Sequence, residues 1–153
     1  MCKWLEIYLK DKYKKQDCEI LVLDCHSEYL DSVLEKNSVI TYFPHIVGLK
    51  IQIDILGIVK LRGKSEIIFI EAKKKPLNLH DLGQLWAYCK LCDPSEAFLL
   101  SPEGMGSLDK VLKNLNREDM LNYGDGKRIK KMIVAKWDIS KNSIDYDSTI
   151  PKL

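Results

Sequence analysis

Five residues have types and spacing suited to chemistry: Asp54, Glu71, Lys73, Gln84 and Tyr88. Glu71 and Lys73 close an apolar run with only Ala72 between them. Side chains on a strand alternate faces, so on a strand over 65–74 these two share a face, about 7 Å apart. Ile68, Ile70 and Ala72 then point the other way, into the core. Asp54 lies in a second β run, 48–61, between Ile53 and Ile55 and on the face of Gln52 and Leu56. Gly57 follows and permits a bend or a close backbone approach.

The charged turn Arg62-Gly63-Lys64 between the two runs reads as a hairpin loop. Pairing about that turn sets position 54 opposite 72, which brings Asp54 within reach of Glu71 and Lys73. Two carboxylates at one sheet position repel each other, and a divalent cation removes the penalty. Mg²⁺ takes a few carboxylate oxygens, a carbonyl and waters. Asp54, Glu71 and the backbone carbonyl of Ala72 would supply that set. Lys73 would orient an attacking water and offset negative charge developing on a phosphate. A plain ion pair across a strand end would use the same residues.

The elements that must position this set are legible as a pattern. A helix is expected over 3–15, with Trp4, Leu5, Tyr8 and Leu9 on one side, then a strand over 19–24. Ser27 reads as the N-cap of a helix over 28–36. A short strand near Val39–Phe43 precedes the 48–61 run. Pro76 stops the second run, and a helix follows over 79–92. Its apolar stripe is Leu79, Leu82, Leu85, Trp86 and Cys89. Gln84 and Tyr88, four apart, are surface neighbours off that stripe. A strand over 96–100, a helix over 107–116 and a final strand over 129–137 complete the chain. In that strand Ile129, Lys131, Ile133 and Ala135 would share one face. Residues 123–126 read as an exposed loop. Strands and helices alternate after the hairpin, as in a mixed sheet flanked by helices.

The whole chain sets bounds on function. Its 153 residues suit one domain, with an N-terminal helix–strand–helix over 1–37, core motifs over 48–101 and a C-terminal helix and strand over 106–138. Apolar residues make up 46% and charged residues 30%, with a net charge of +2. That balance neither demands nor excludes nucleic acid. Basic residues cluster at 10–15 and at 127–136, and such clusters serve as phosphate footprints or as solvated faces. No apolar run is long enough to span a membrane, and the N-terminus has no signal-peptide core. Five cysteines without a secretion signal imply reduced thiols and a cytoplasmic location. Cys89 and Cys92 have metal-ligand spacing but no second pair behind them, so packed thiols are expected.

The ordered series Asp54, Glu71-Ala72-Lys73, then Gln84-Leu-Trp-Ala-Tyr88 resembles the PD-(D/E)xK nuclease superfamily, and its Q-x-x-x-Y element resembles the RecB-like branch. The resemblance covers roughly 48–101. It implies an α/β, restriction-endonuclease-like fold with a central mixed β-sheet flanked by helices. It implies a DNA phosphodiester hydrolase using Mg²⁺ or Mn²⁺. Asp54 and Glu71 would bind the ion, Lys73 would position the water, and Gln84 and Tyr88 would hold the lysine, the metal ligands or the DNA backbone. The family commonly adds an acidic residue from an early helix, for which Glu6 is preferred over Glu28 and Glu35. Ile53 stands where the family name has proline. Branches with a cysteine-bound iron–sulfur cluster place cysteines at both ends of the core, and none follows Cys92. Lys74, Lys75, Lys127, Arg128 and Lys130 are the expected DNA contacts. DNA is the expected partner, with a homodimer compatible and a membrane not expected. Two rival readings are a non-catalytic nucleic-acid-binding module that keeps the fold and a protein-interaction domain using the first helix.

Overall fold

The N-terminal apolar stripe forms a helix, α1 (Cys2–Lys12), that buries Trp4, Leu5 and Leu9. Its neighbour is β1 (Glu19–Asp24), which pairs antiparallel with β2 (Ile55–Leu61), Glu19 opposite Lys60 and Asp24 opposite Ile55. α2 (Leu30–Lys36) lies between them in sequence. β2 in turn neighbours β3 (Lys64–Ala72). The computed structural model describes every residue, Met1–Leu153, and divides them into two compact units, Met1–Phe69 and Ile70–Leu153.

In the first unit the strand order is β1-β2-β3. Gly57 explains how closely α1 approaches: a Cβ there would lie 3.1 Å from Leu9 Cδ1, 3.2 Å from Ile68 Cβ and 3.3 Å from Leu5 Cδ2. The turn between β2 and β3 is two residues, Arg62-Gly63, with Gly63 at φ +76, a left-handed value that glycine adopts without strain.

Several expected elements differ here. The 48–61 run is a strand only from Ile55, and Asp54 sits in a bend before it. Ile51 and Ile53 are buried around exposed Gln52, so the alternation is real. The backbone, however, is used elsewhere. Ile51 O accepts from Leu30 N at 2.8 Å, Ile53 O from Cys25 Sγ at 3.2 Å, and Asp54 O from Cys25 N at 3.0 Å. Those bonds also correct the Ser27 cap. α2 starts at Leu30 with Tyr29 as N-cap and no side-chain bond. The expected strand at Val39–Phe43 is instead two short 3₁₀ turns, Ile40–Tyr42 and Pro44–Ile46.

In the second unit the end of β3 neighbours β4 (Glu96–Ser101), which runs parallel to β7 (Ile133–Asp138), with Phe98 opposite Ile133. β8 (Ser143–Ile144) pairs antiparallel with β7. A separate ribbon joins β5 (Asn122–Tyr123) to β6 (Lys130–Lys131). α3 (Leu79–Cys92) and α4 (Ser107–Asp109), which continues as a π-helical turn Lys110–Asn114, supply the helices. The class is mixed α/β, with parallel and antiparallel strand pairs and packed helices. No helix is long and apolar enough to cross a membrane.

The expected strand over 129–137 is broken in two, and its first residue, Ile129, is 66% exposed. Ile133, Val134 and Ala135 are all buried, so β7 does not alternate: it is covered on both faces. Tyr123, expected in an exposed loop, is buried in β5, with its hydroxyl donating to Pro94 O at 3.2 Å.

Candidate active site

The apolar end of β3 departs from simple alternation. Ile67, Ile68, Phe69 and Ile70 are all buried. Glu71 follows at 5% exposure, more buried than Ala72, which was expected to face the core. A carboxylate held out of water needs a compensating partner. Lys73 Nζ supplies it, donating to Glu71 Oε1 at 2.7 Å, with the two side chains 25% and 6% exposed. Exposed pairs contribute little to stability, whereas breaking a buried one is costly. This pair belongs to the second kind.

Lys73 lies just past the strand, in a segment fixed at three points. Its backbone N donates to Leu100 O at 2.9 Å. Ser101 Oγ donates to Lys75 O at 2.7 Å, and Leu77 N donates to Gly104 O at 3.1 Å. Gly106 lets this segment approach: at φ +51, a Cβ there would lie 2.4 Å from Leu77 O. Ser101 is fully buried and polar, and sequence reading missed its role. The signal was a serine ending an otherwise apolar strand.

The segment leads into α3 through a cap also missed from sequence. Asn78 Oδ1 accepts from Asp81 N, and Asp81 Oδ2 accepts from Asn78 N, both at 3.1 Å, a reciprocal capping box. The cap fixes where the helix starts and so which residues face which way. Leu82, Leu85, Cys89 and Cys92 turn to the core. Leu79 and Trp86, expected in that stripe, are 48% and 40% exposed. Gln84 and Tyr88 lie half-buried on another flank. Lys73 Nζ donates to Gln84 Oε1 at 3.3 Å, and Gln84 Nε2 donates to Tyr88 Oη at 3.3 Å. Glu71, Lys73, Gln84 and Tyr88 therefore form one hydrogen-bonded chain running from the strand end onto the helix.

Asp54 belongs to the first unit, in the bend before β2. Glu6 sits on α1, where Lys10 Nζ at 2.5 Å holds its carboxyl below the usual range. Glu28 pairs with Lys36, and Glu35 is exposed. Lys74, Lys75, Lys127 and Arg128 are exposed. Lys130 is engaged just past the end of α3, with Nζ 2.6 Å from Asp93 Oδ1 and 2.8 Å from Pro94 O.

The cysteines are all free thiols. Cys89 and Cys92 are buried, and desolvation pushes both thiols up, Cys92 to about 12. Thiols raised in this way stay protonated at neutral pH, as packed cysteines do. No family model, curated protein or solved structure matches the chain.

Proposed function

We propose that the chain is a metal-dependent nuclease that hydrolyses phosphodiester bonds in DNA, a cytoplasmic relative of the PD-(D/E)xK enzymes it resembles. The observation that carries this reading is the chain from buried Glu71 through Lys73 to Gln84 and Tyr88. An ion pair that merely ends a strand needs neither a buried carboxylate nor a bridge to a second element.

The donor chemistry fits a hard divalent cation. The Glu71 carboxylate and the Ala72 carbonyl are oxygen donors of the type Mg²⁺ and Mn²⁺ take, and Asp54 is the further carboxylate that the sequence series supplies. When bound, the ion supplies charge neutralisation at a phosphate and an acidified water. Lys73 is a compact ammonium whose direction is set by Glu71 and Gln84. It donates to the attacking water or to a phosphate oxygen. Gln84 orients Lys73, and Tyr88 orients the Gln84 amide. Exposed Lys74, Lys75, Lys127 and Arg128 add positive potential along a DNA backbone.

The test is incubation with single-stranded, duplex and branched DNA in the presence of Mg²⁺ or Mn²⁺, and again with EDTA. Cleavage is expected with metal and not with EDTA. Cleavage at the wild-type rate by Lys73→Ala or Asp54→Ala would remove those residues from the mechanism. Salt-sensitive DNA binding without metal-dependent cleavage would identify the non-catalytic module instead.

A further inference from the structure

The clamps on the segment after β3 also fix its direction. Lys73 N meets Leu100 O, Ser101 Oγ meets Lys75 O, and Leu77 N meets Gly104 O. Residues 73–77 and 100–104 therefore run alongside each other in the same sense. On its other edge β4 is parallel to β7, with Ser101 opposite Lys136. The end of β4 thus has Lys73 on one side and Lys136 on the other. Two strand spacings set their backbones about 10 Å apart. In open α/β sheets, ligands bind outside the carboxyl ends of the strands, and both lysines flank the carboxyl end of β4.

Lys136 is exposed between buried Ala135 and buried Trp137. Its stem leans over the turn after β4: a Cβ built on Gly104 would lie 3.9 Å from Lys136 Cδ. That turn is the one that holds Leu77. The backbone of Lys136 is fixed, with N donating to Ser148 Oγ at 2.8 Å and O accepting from Asp145 N at 2.9 Å. The residue lines a polar cavity of about 300 Å³ with Pro102, Asp138, Ser140 and Asp145. Two carboxylates are therefore near, yet the ammonium pairs with neither. Asp138 Oδ1 accepts from Ser140 N, Ser140 Oγ and Lys141 N at 2.9, 2.6 and 3.2 Å, and its Oδ2 lies 3.6 Å from Lys141 Nζ. Asp145 Oδ1 accepts from Asp147 N at 3.2 Å. Both acids serve their own turns, which leaves the Lys136 ammonium for an anion from outside.

We propose that Lys136 holds a backbone phosphate of the DNA strand whose scissile phosphate lies at Lys73. The DNA class rests on the nuclease reading above. A span of about 10 Å covers roughly three nucleotides of a duplex strand, at about 3.4 Å each. Phosphate contacts position a strand and carry no sequence information. Lys136 therefore sets how the strand lies across the end of β4, whatever its bases.

The experiment is a salt titration of oligonucleotide binding in EDTA, read by fluorescence anisotropy. Lys136→Gln should reduce the slope of log K against log salt by about 0.9 on duplex DNA, or about 0.7 on a single strand, equally for different sequences. Lys136→Arg should keep the wild-type slope. Lys141→Gln removes a nearby lysine that already faces Asp138, and should leave the slope unchanged. An unchanged slope in Lys136→Gln, or an equal loss in Lys141→Gln, overturns the proposal. So does an absence of binding by the wild-type protein at low salt. In Mg²⁺ or Mn²⁺, Lys136→Gln should raise KM at unchanged kcat, as loss of uniform binding does. A slope change without cleavage in either metal sinks the nuclease reading and leaves the phosphate contact standing. Cleavage with an unchanged slope does the reverse.

Discussion

Lys73 Nζ lies 3.3 Å from Gln84 Oε1, which ties the residue after β3 to the middle of α3. The same ammonium is 2.7 Å from Glu71 Oε1. One cation therefore serves a buried carboxylate on a strand and an amide on a helix.

Stability and activity should separate at this pair. Lys73→Met leaves Glu71 buried without its cation and is expected to cost about 3–5 kcal/mol. The double substitution Glu71→Gln/Lys73→Met should recover most of that loss, because no charge is left buried. Under the proposed nuclease function it should still lack at least ~100-fold of the cleavage rate. Chemical denaturation and a cleavage assay on the same preparations check both. A double variant as unstable as the single one would show that the pair's charge is not what matters.

Gln84 should matter to rate rather than to folding. Both of its side-chain bonds are long, at 3.3 Å, and the residue is half-buried. Gln84→Ala is expected to change stability by less than about 1 kcal/mol and, under the proposed nuclease function, to lower turnover by ~10-fold through a disoriented Lys73. An unchanged rate would remove Gln84 from the site.

The helix cap gives a purely structural prediction. Asn78→Ala removes the acceptor for Asp81 N and should cost about 1 kcal/mol. Replacing exposed His80, two residues on, should leave the urea midpoint within error.

Gly57 should resist enlargement. A Cβ there meets Leu9, Ile68 and Leu5 at 3.1–3.3 Å. Gly57→Val is expected to destabilise by about 1–3 kcal/mol. A smaller loss from Gly57→Ala would show α1 giving way.

Thiol chemistry should divide the cysteines into two sets. Cys25, Cys89 and Cys92 are buried, while Cys2 and Cys18 are half-exposed. Desolvation pushes Cys25 and Cys92 to about 12 and raises Cys89 as well. The reactive thiolate of these three is therefore scarce until well above neutral pH. At about pH 8, iodoacetamide should modify Cys2 and Cys18 in the native protein, and the other three only after unfolding. Mass spectrometry reads the count directly. Native labelling of Cys92 would contradict its burial.

Where sequence reading succeeded, one local signal governed each element. β1 at 19–24 is an apolar run between two charged ends, and α3 at 79–92 carries Leu82, Leu85 and Cys89 at helical spacing. It failed where backbone bonds go to distant partners. Ile51 and Ile53 alternate as a strand would, but their carbonyls serve α2 and Cys25. Nothing in residues 48–54 announces that. Burial on both faces likewise hid the true surroundings of Glu71 and Ala72, because alternation assumes one wet face. The neighbouring pair Gln84 and Tyr88 was legible from helical spacing alone, whereas the cap on Asn78 and the buried Ser101 depend on partners met only in the fold.

The fixed start of α3 sets limits on length changes in the chain. One residue added after Asn78 would turn every later position of the helix by about 100°. Leu82 and Leu85 would leave the core, and Gln84 and Trp86 would lose their present neighbours together. Between Ala72 and Asn78 the three backbone clamps leave no slack to absorb an insertion. Tags, loops or fused domains belong instead at Arg62-Gly63, where the turn opens to solvent. Across homologues the spacing from Glu71 to Tyr88 should vary least.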